Sequence, residues 1–131
     1  IIEAAGGGKR LGLCLDSCHL FAAGYDIRTY DGIDRMLGDS DKALGKRRLK
    51  ALHLNDSKEP LDSHRDRHED IGKGEIGETG FARFLSEPRF KGLPATMETP
   101  GPEKKGPTVE DIELANKLMR RGRTARRRRK I

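Results

Sequence analysis

The stretch Leu11-Gly12-Leu13-Cys14-Leu15-Asp16-Ser17-Cys18-His19-Leu20 decides how the fold is read. On an extended chain Leu11, Leu13 and Leu15 fall on one side, and Gly12, Cys14 and Asp16 on the other. A strand over residues 11–15 is therefore predicted, ending at a carboxylate. Two later stretches repeat the pattern. Residues 49–54 form an apolar run closing at His53, with Leu54 and Asn55 following, and residues 93–97 form another that closes at Glu98. His53 shares its side with Ala51, against Leu52 and Leu54; Glu98 shares its side with Thr96, against Leu93, Ala95 and Met97. Small residues thus accompany the polar strand ends and large ones oppose them. The three strand ends lie 37 and 45 residues apart, which leaves room for the crossover a parallel strand requires.

The intervals carry helical signals. Ile33, Met36 and Leu37 recur at spacings of three and four, as do Phe81, Phe84 and Leu85 ahead of Pro88. A further helix is predicted after Pro107, with Thr108 as its cap, Glu110 and Asp111 in its first turn, and Ile112, Ala115, Leu118 and Met119 along one face. Gly122 is expected to end it. Residues 1–5 read as the end of an earlier helix, and Gly6 to Gly8 as the turn into the first strand.

At 131 residues the chain is one domain's worth, with 34% hydrophobic residues, 37% charged, 5% aromatic and no Trp. That composition predicts an aliphatic, thin core. The net charge of +6 is local: residues 120–131 hold seven arginines and one lysine with no acid, and the remaining nineteen Lys and Arg stand against twenty-one Asp and Glu, a net −2. Residues 122–131 are accordingly expected to be a basic, disordered tail, able to meet phosphates without defining a reaction. No apolar run reaches the roughly 18 residues of a membrane span and no signal-peptide pattern opens the chain, so a soluble, cytoplasmic protein without a membrane partner is expected. Cys14 and Cys18 do not have CxxC spacing and suggest neither a zinc knuckle nor a disulfide framework.

All four histidines, His19, His53, His64 and His68, lie close to aspartates: Asp16-Ser17-Cys18-His19, His53-Leu54-Asn55-Asp56 and Asp66-Arg67-His68. Imidazole with carboxylate suits zinc, manganese or iron(II) better than calcium or magnesium. Any one of these groups alone reads as a structural histidine or a solvated loop. Three strand ends and one loop that all offer N or O donors point to a metal centre at a barrel mouth, where α/β barrels place their active sites.

These residues carry a resemblance. The segments LCLDSCHLFAAGYD (13–26), LHLNDSK (52–58), DRHEDIGKGEIG (66–77) and METPGP (97–102), in order and at consistent spacing, resemble endonuclease IV, the zinc-dependent apurinic/apyrimidinic endonuclease family of DNA base-excision repair. The resemblance implies a TIM (β/α)8 barrel, with residues 1–121 forming a partial barrel of about the last three strands and their helices. It implies zinc as cofactor, three ions in a complete barrel, with ligands for about two visible here. Asp16, His53 and Glu98 correspond to ligands of one ion, and His19, Asp66 and His68 to the set of another. Glu98 also corresponds to the residue that orients the attacking hydroxide, and Arg67 to a DNA-contacting position at the rim. The implied reaction is hydrolysis of the phosphodiester 5′ to an abasic site in double-stranded DNA, by a monomer.

The sequence departs from the family pattern in three respects. Two further histidines and a bridging glutamate come from earlier strands in the family; Glu3 lies too close to Asp16 to be that glutamate, and His64 is not at a ligand position. Asp62 stands where the family has glycine. Little or no activity is therefore expected from these 131 residues by themselves. Two alternatives remain open: another metal-dependent TIM-barrel enzyme, such as a sugar isomerase or epimerase, and a noncatalytic nucleic-acid-binding segment driven by the arginine tail.

Overall fold

The structure is a computed structural model that describes residues 3–130. Two strands run where alternation predicts them, β1 (Leu13–Asp16) and β2 (Leu49–His53), and they pair in parallel with Asp16 opposite His53. The β2 strand then pairs in parallel with a short strand at Ala95–Thr96, placing His53 opposite Thr96 and so bringing Glu98 just beyond the same edge. All three predicted strands exist and are shorter than the apolar runs. Between β2 and that last strand lies an unanticipated antiparallel pair, β3 (Asp56–Ser57) and β4 (His68–Glu69), which makes the Ala95–Thr96 strand β5. The three-stranded sheet has the order β1-β2-β5.

Four helices accompany this sheet, and the last two pack on each other. The β1 strand turns directly into α1 (Ser17–Ala22), because Asp16 caps it by accepting a hydrogen bond from the His19 N–H at 3.1 Å. The Ile33 stripe lies in α2 (Tyr30–Leu44), capped by Thr29 and ended by Gly45 at φ 86°. Phe81 and Phe84 lie in α3 (Gly77–Leu85) and are fully buried. The last helix, α4, runs from Val109 to Arg129, and Asp111 closes its start by accepting from the Thr108 N–H at 2.7 Å.

The core lies between the helices and the leucine side of the sheet: Leu15, Leu52 and Leu54 are buried with Ile27, Ile33, Met36, Ile71 and Leu118. It is less aliphatic than the composition suggests, because all four phenylalanines, Phe21, Phe81, Phe84 and Phe90, are buried in it, the last two with ring centroids 4.8 Å apart. Burying such large rings supplies area that a low aromatic count hides. The other side of the sheet is uncovered, with Cys14, Thr96 and Glu98 exposed.

Two sequence expectations fail at α4. The helix does not end at Gly122, and residues 122–129 are helical rather than disordered. The reason is a close crossing. A Cβ on Gly122 would collide with the Ala82 carbonyl oxygen, so glycine is there to let α4 lie against α3, not to cap a C-terminus. The buried line on α4 is consequently Ala115, Leu118 and Gly122, and Ile112, expected on the inner face, is 54% exposed. At the other end, residues 3–6 form a turn; the rest of the predicted earlier helix, residues 1 and 2, lies outside the described residues. Asp62 adopts φ 64°, the left-handed region that the glycine expected there would enter freely; aspartate is among the residues that enter it at least cost.

Candidate metal centre

Six side chains from four segments form one continuous chain of donor atoms past the ends of the parallel strands. Glu98 Oε2 lies 3.6 Å from His53 Nδ1, which lies 3.5 Å from Asp16 Oδ2. Asp16 Oδ2 lies 3.9 Å from His68 Nε2, which lies 3.3 Å from Asp66 Oδ1. The other oxygen of Asp66 lies 3.8 Å from His19 Nδ1. Every residue that the sequence nominated as a ligand is therefore in the cluster. His64 is not; it pairs with Asp62 in an exposed loop at 3.4 Å. Arg67, between Asp66 and His68, is exposed, with its guanidinium donating to the Asp66 carbonyl at 3.1 Å. Glu3 lies in the exposed N-terminal turn.

The local chemistry sets the direction of these groups. His68 Nδ1 lies 3.1 Å from the Glu98 carbonyl oxygen, which can only accept, so Nδ1 carries the proton and Nε2 turns toward Asp66 and Asp16. Nε2 is thereby left as the nitrogen that presents a lone pair, the form in which imidazole ligates a metal. The carbonyl beneath the ring also fixes its plane and tautomer, the usual support for a ligating histidine. Asp16 divides its oxygens: Oδ1 caps α1, and Oδ2 faces the cluster.

Three positioning residues lie within the segments that flank the ligands, and the sequence alone assigned them no role. Asn55 is fully buried; its amide N–H donates to Asp16 Oδ2 at 2.8 Å and its amide oxygen accepts from the Glu98 N–H at 2.8 Å. One side chain thus ties the end of β1 to the segment after β5. Ser17 holds Asn55 in turn, donating to its carbonyl at 2.7 Å and accepting from its N–H at 2.9 Å. Strand parity is the signal that could have found it, since Asn55 continues the face of His53. Asp70 performs a similar task in the next loop, accepting from the Gly101 N–H at 2.8 Å.

Donor atoms of Asp16, His68 and Glu98 lie within 4.8 Å of one another, as do those of Cys18, Asp66 and His68. His68 therefore stands between two groups. Cys18 is the weaker donor of the second: burial first, then a hydrogen bond with Asp66, pushes its thiol up to about 12, so it is neutral near pH 7. Its Sγ donates to the Arg67 carbonyl at 3.5 Å, and Asp66, His68 and His19 remain as the donors suited to a cation.

Both groups sit beyond the C-terminal ends of parallel strands, on the uncovered side of a sheet whose helices pack on the other side, as an arc of an α/β barrel requires. The chain belongs to the xylose isomerase-like TIM barrel family, whose model matches residues 1–121. Within that family it groups with endonuclease IV. The probable endonuclease 4 of Halothermothrix orenii is 47% identical over 120 residues, covering 92% of this chain and 42% of that protein. Its counterpart in Chlorobium limicola is 52% identical over 100 residues, covering 76% and 34%. The crystal structure of endonuclease IV from Thermus thermophilus matches with a TM-score of 0.68 at 36% identity, over 85% of this chain and 39% of that one. The chain thus spans about two fifths of the length of these relatives.

Proposed function

We propose that this chain is part of a zinc-dependent DNA endonuclease that hydrolyses the phosphodiester on the 5′ side of an abasic site in duplex DNA. The observation that supports it most is the unbroken run of donors from Glu98 to His19. The donor set fits zinc. With metal–ligand bonds of about 2.0–2.1 Å, a tetrahedral ion spaces its ligand atoms by about 3.4 Å, and neighbouring donors here lie 3.3 to 3.9 Å apart. Asp16, His53 and Glu98 would hold one ion, and His19, Asp66 and His68 another.

Bound zinc supplies hydroxide near neutral pH, by lowering the pKa of water toward about 7, and neutralises phosphate charge. The residues do the rest. Glu98, half exposed and fixed through its own N–H by Asn55, orients the attacking water with its carboxylate. Arg67 presents a guanidinium at the exposed rim, where a flanking phosphate passes. His68, held in the β3–β4 pair, and Asp66, two residues before it, keep the second donor group in register with the first. An abasic nucleotide costs less to rotate out of the stack than a paired base, which supplies selectivity.

Native mass spectrometry of the chain with added zinc tests this reading. About two zinc ions per chain are expected, with one lost in Asp66→Ala. A chain that binds no zinc, or that turns over a ketose and leaves abasic duplex intact when supplied with the other strands of such a barrel, would overturn it.

A further inference from the structure

The cations between Arg120 and Lys130, seven arginines and one lysine, read in the sequence as a tail. In the structure they are the final three turns of α4, and three of them hold that helix end in place. Arg126 reaches Glu87 at 3.3 Å, the Ser86 hydroxyl at 3.3 Å and the Arg83 carbonyl at 3.4 Å. The guanidinium groups of Arg126 and Arg129 sit over the Tyr30 ring, 4.6 and 4.0 Å from its centre, with that of Arg83 at 5.8 Å. Arg121 pairs with Glu78 at 3.4 Å. Gly122 against Ala82 sets the closeness of the crossing.

The remaining five, Arg120, Arg123, Arg127, Arg128 and Lys130, are exposed and form no salt bridge among the described residues. Four of them, Arg120, Arg123, Arg127 and Lys130, follow at spacings of three, four and three, so they make one stripe about 15 Å long at a rise of about 1.5 Å per residue. Arg123, Arg127 and Lys130 also line, with Lys91, a cleft of about 290 Å³; its one acid, Glu87, is already paired with Arg89 and Arg126.

We propose that this end of α4 is a second, metal-independent contact surface for the phosphate backbone of duplex DNA. The proposal rests on the reading of the chain as part of a DNA endonuclease. Like charges about five to six ångströms apart on a rigid helix repel one another, and the negative end of the helix dipole offsets only part of that. A polyanion with about one charge per 1.7 Å of axis relieves the rest. Because the helix is already anchored, little ordering entropy is lost on contact. Arginine rather than lysine dominates, and its planar fork matches phosphate oxygens. From 120 to 130 the non-basic residues are Gly122, Thr124 and Ala125, so the stripe has no large apolar group to enter a lipid surface or to form the core of a protein interface. None of these cations belongs to the donor cluster of the metal centre, so the surface acts without metal.

The test is fluorescence anisotropy with a labelled, undamaged duplex in EDTA across a salt series. The variant is Arg120→Gln/Arg123→Gln/Arg127→Gln/Lys130→Gln, whose positions are all exposed and whose helicity is checked by circular dichroism. Each phosphate contact adds about 0.9 to the salt slope, so the wild type should bind and the variant should lose roughly three units of slope and most of its affinity. The fourfold variant should still take up zinc like the wild type, and EDTA should leave wild-type binding of undamaged duplex unchanged, which separates this surface from the metal-centre reading. No binding of undamaged duplex by the wild type, an unchanged slope in the fourfold variant, or tighter binding to phosphatidylserine vesicles than to DNA would overturn the proposal.

Discussion

Asp56 is a fully buried carboxylate whose charge is met by backbone alone. Its Oδ1 accepts from Ser57 and Ile76 at 2.8 and 2.9 Å, and its Oδ2 from Gly72, Gly74 and Gly77 at 3.0, 3.0 and 3.2 Å. Residues 72–77 therefore wrap around one side chain, and a Cβ on Gly74 would stand 2.6 Å from its oxygen. Asp56→Ala leaves these donors buried and unmet, and should cost more than about 3 kcal/mol in urea unfolding; a loss under about 1 kcal/mol would contradict this role. Asp26 differs in kind. The side-chain hydrogen bond from Arg28 holds its carboxyl below the usual carboxylate range. With the folded pKa below the unfolded one, the stabilisation is present at neutral pH and is lost as pH falls through about 4 and below. Asp26→Asn should flatten that acid limb, read as a smaller change in urea midpoint between about pH 7 and about pH 3.

At the level of elements, α4 shows how one residue type serves opposite purposes. Gly122 occupies a helix interior, where glycine usually costs about 0.5–1 kcal/mol relative to alanine. Here alanine is worse, because its methyl would meet the Ala82 carbonyl, part of a backbone that cannot yield cheaply. Gly122→Ala should destabilise by about 1–3 kcal/mol as α4 is pushed off α3. Gly38, inside α2, has nothing within 4 Å of its added Cβ, and Gly38→Ala should stabilise by about 0.5–1 kcal/mol. Thermal unfolding of the two variants checks both signs; equal effects would mean that the α3–α4 crossing is looser than described.

For the whole molecule the decisive feature is the open sheet. Both β1 and β5 are edge strands, and the face that carries Cys14, Asp16 and Glu98 lies uncovered, so the donor cluster sits on a surface that the rest of a barrel would enclose. If the donor cluster holds zinc as proposed, zinc should stabilise the chain by about 2.7 kcal/mol at a hundredfold excess over the dissociation constant. Differential scanning fluorimetry with zinc and then EDTA checks this; a melting point indifferent to both would show that the ligands do not converge in solution. Incision of abasic duplex by this chain alone should be far slower than by a complete barrel.

Strand positions, the parity of Asp16, His53 and Glu98, the helical stripes at Ile33 and Phe81, and the donors that belong to a metal-binding reading were all legible in the sequence. These are local properties, fixed by side-chain alternation, residue spacing and donor chemistry, and they survive in any context that forms strands and helices. What depends on distant segments meeting was settled by packing alone. Packing gave Asn55 the task of joining Asp16, 39 residues before it, to Glu98, 43 residues after it, and gathered five N–H groups on Asp56. It also turned Gly122 from an apparent helix end into a crossing point, and so made an expected loose tail into an ordered cationic face. A residue's own neighbours in sequence cannot reveal such roles, because the partner that defines each one is brought to it from elsewhere in the chain.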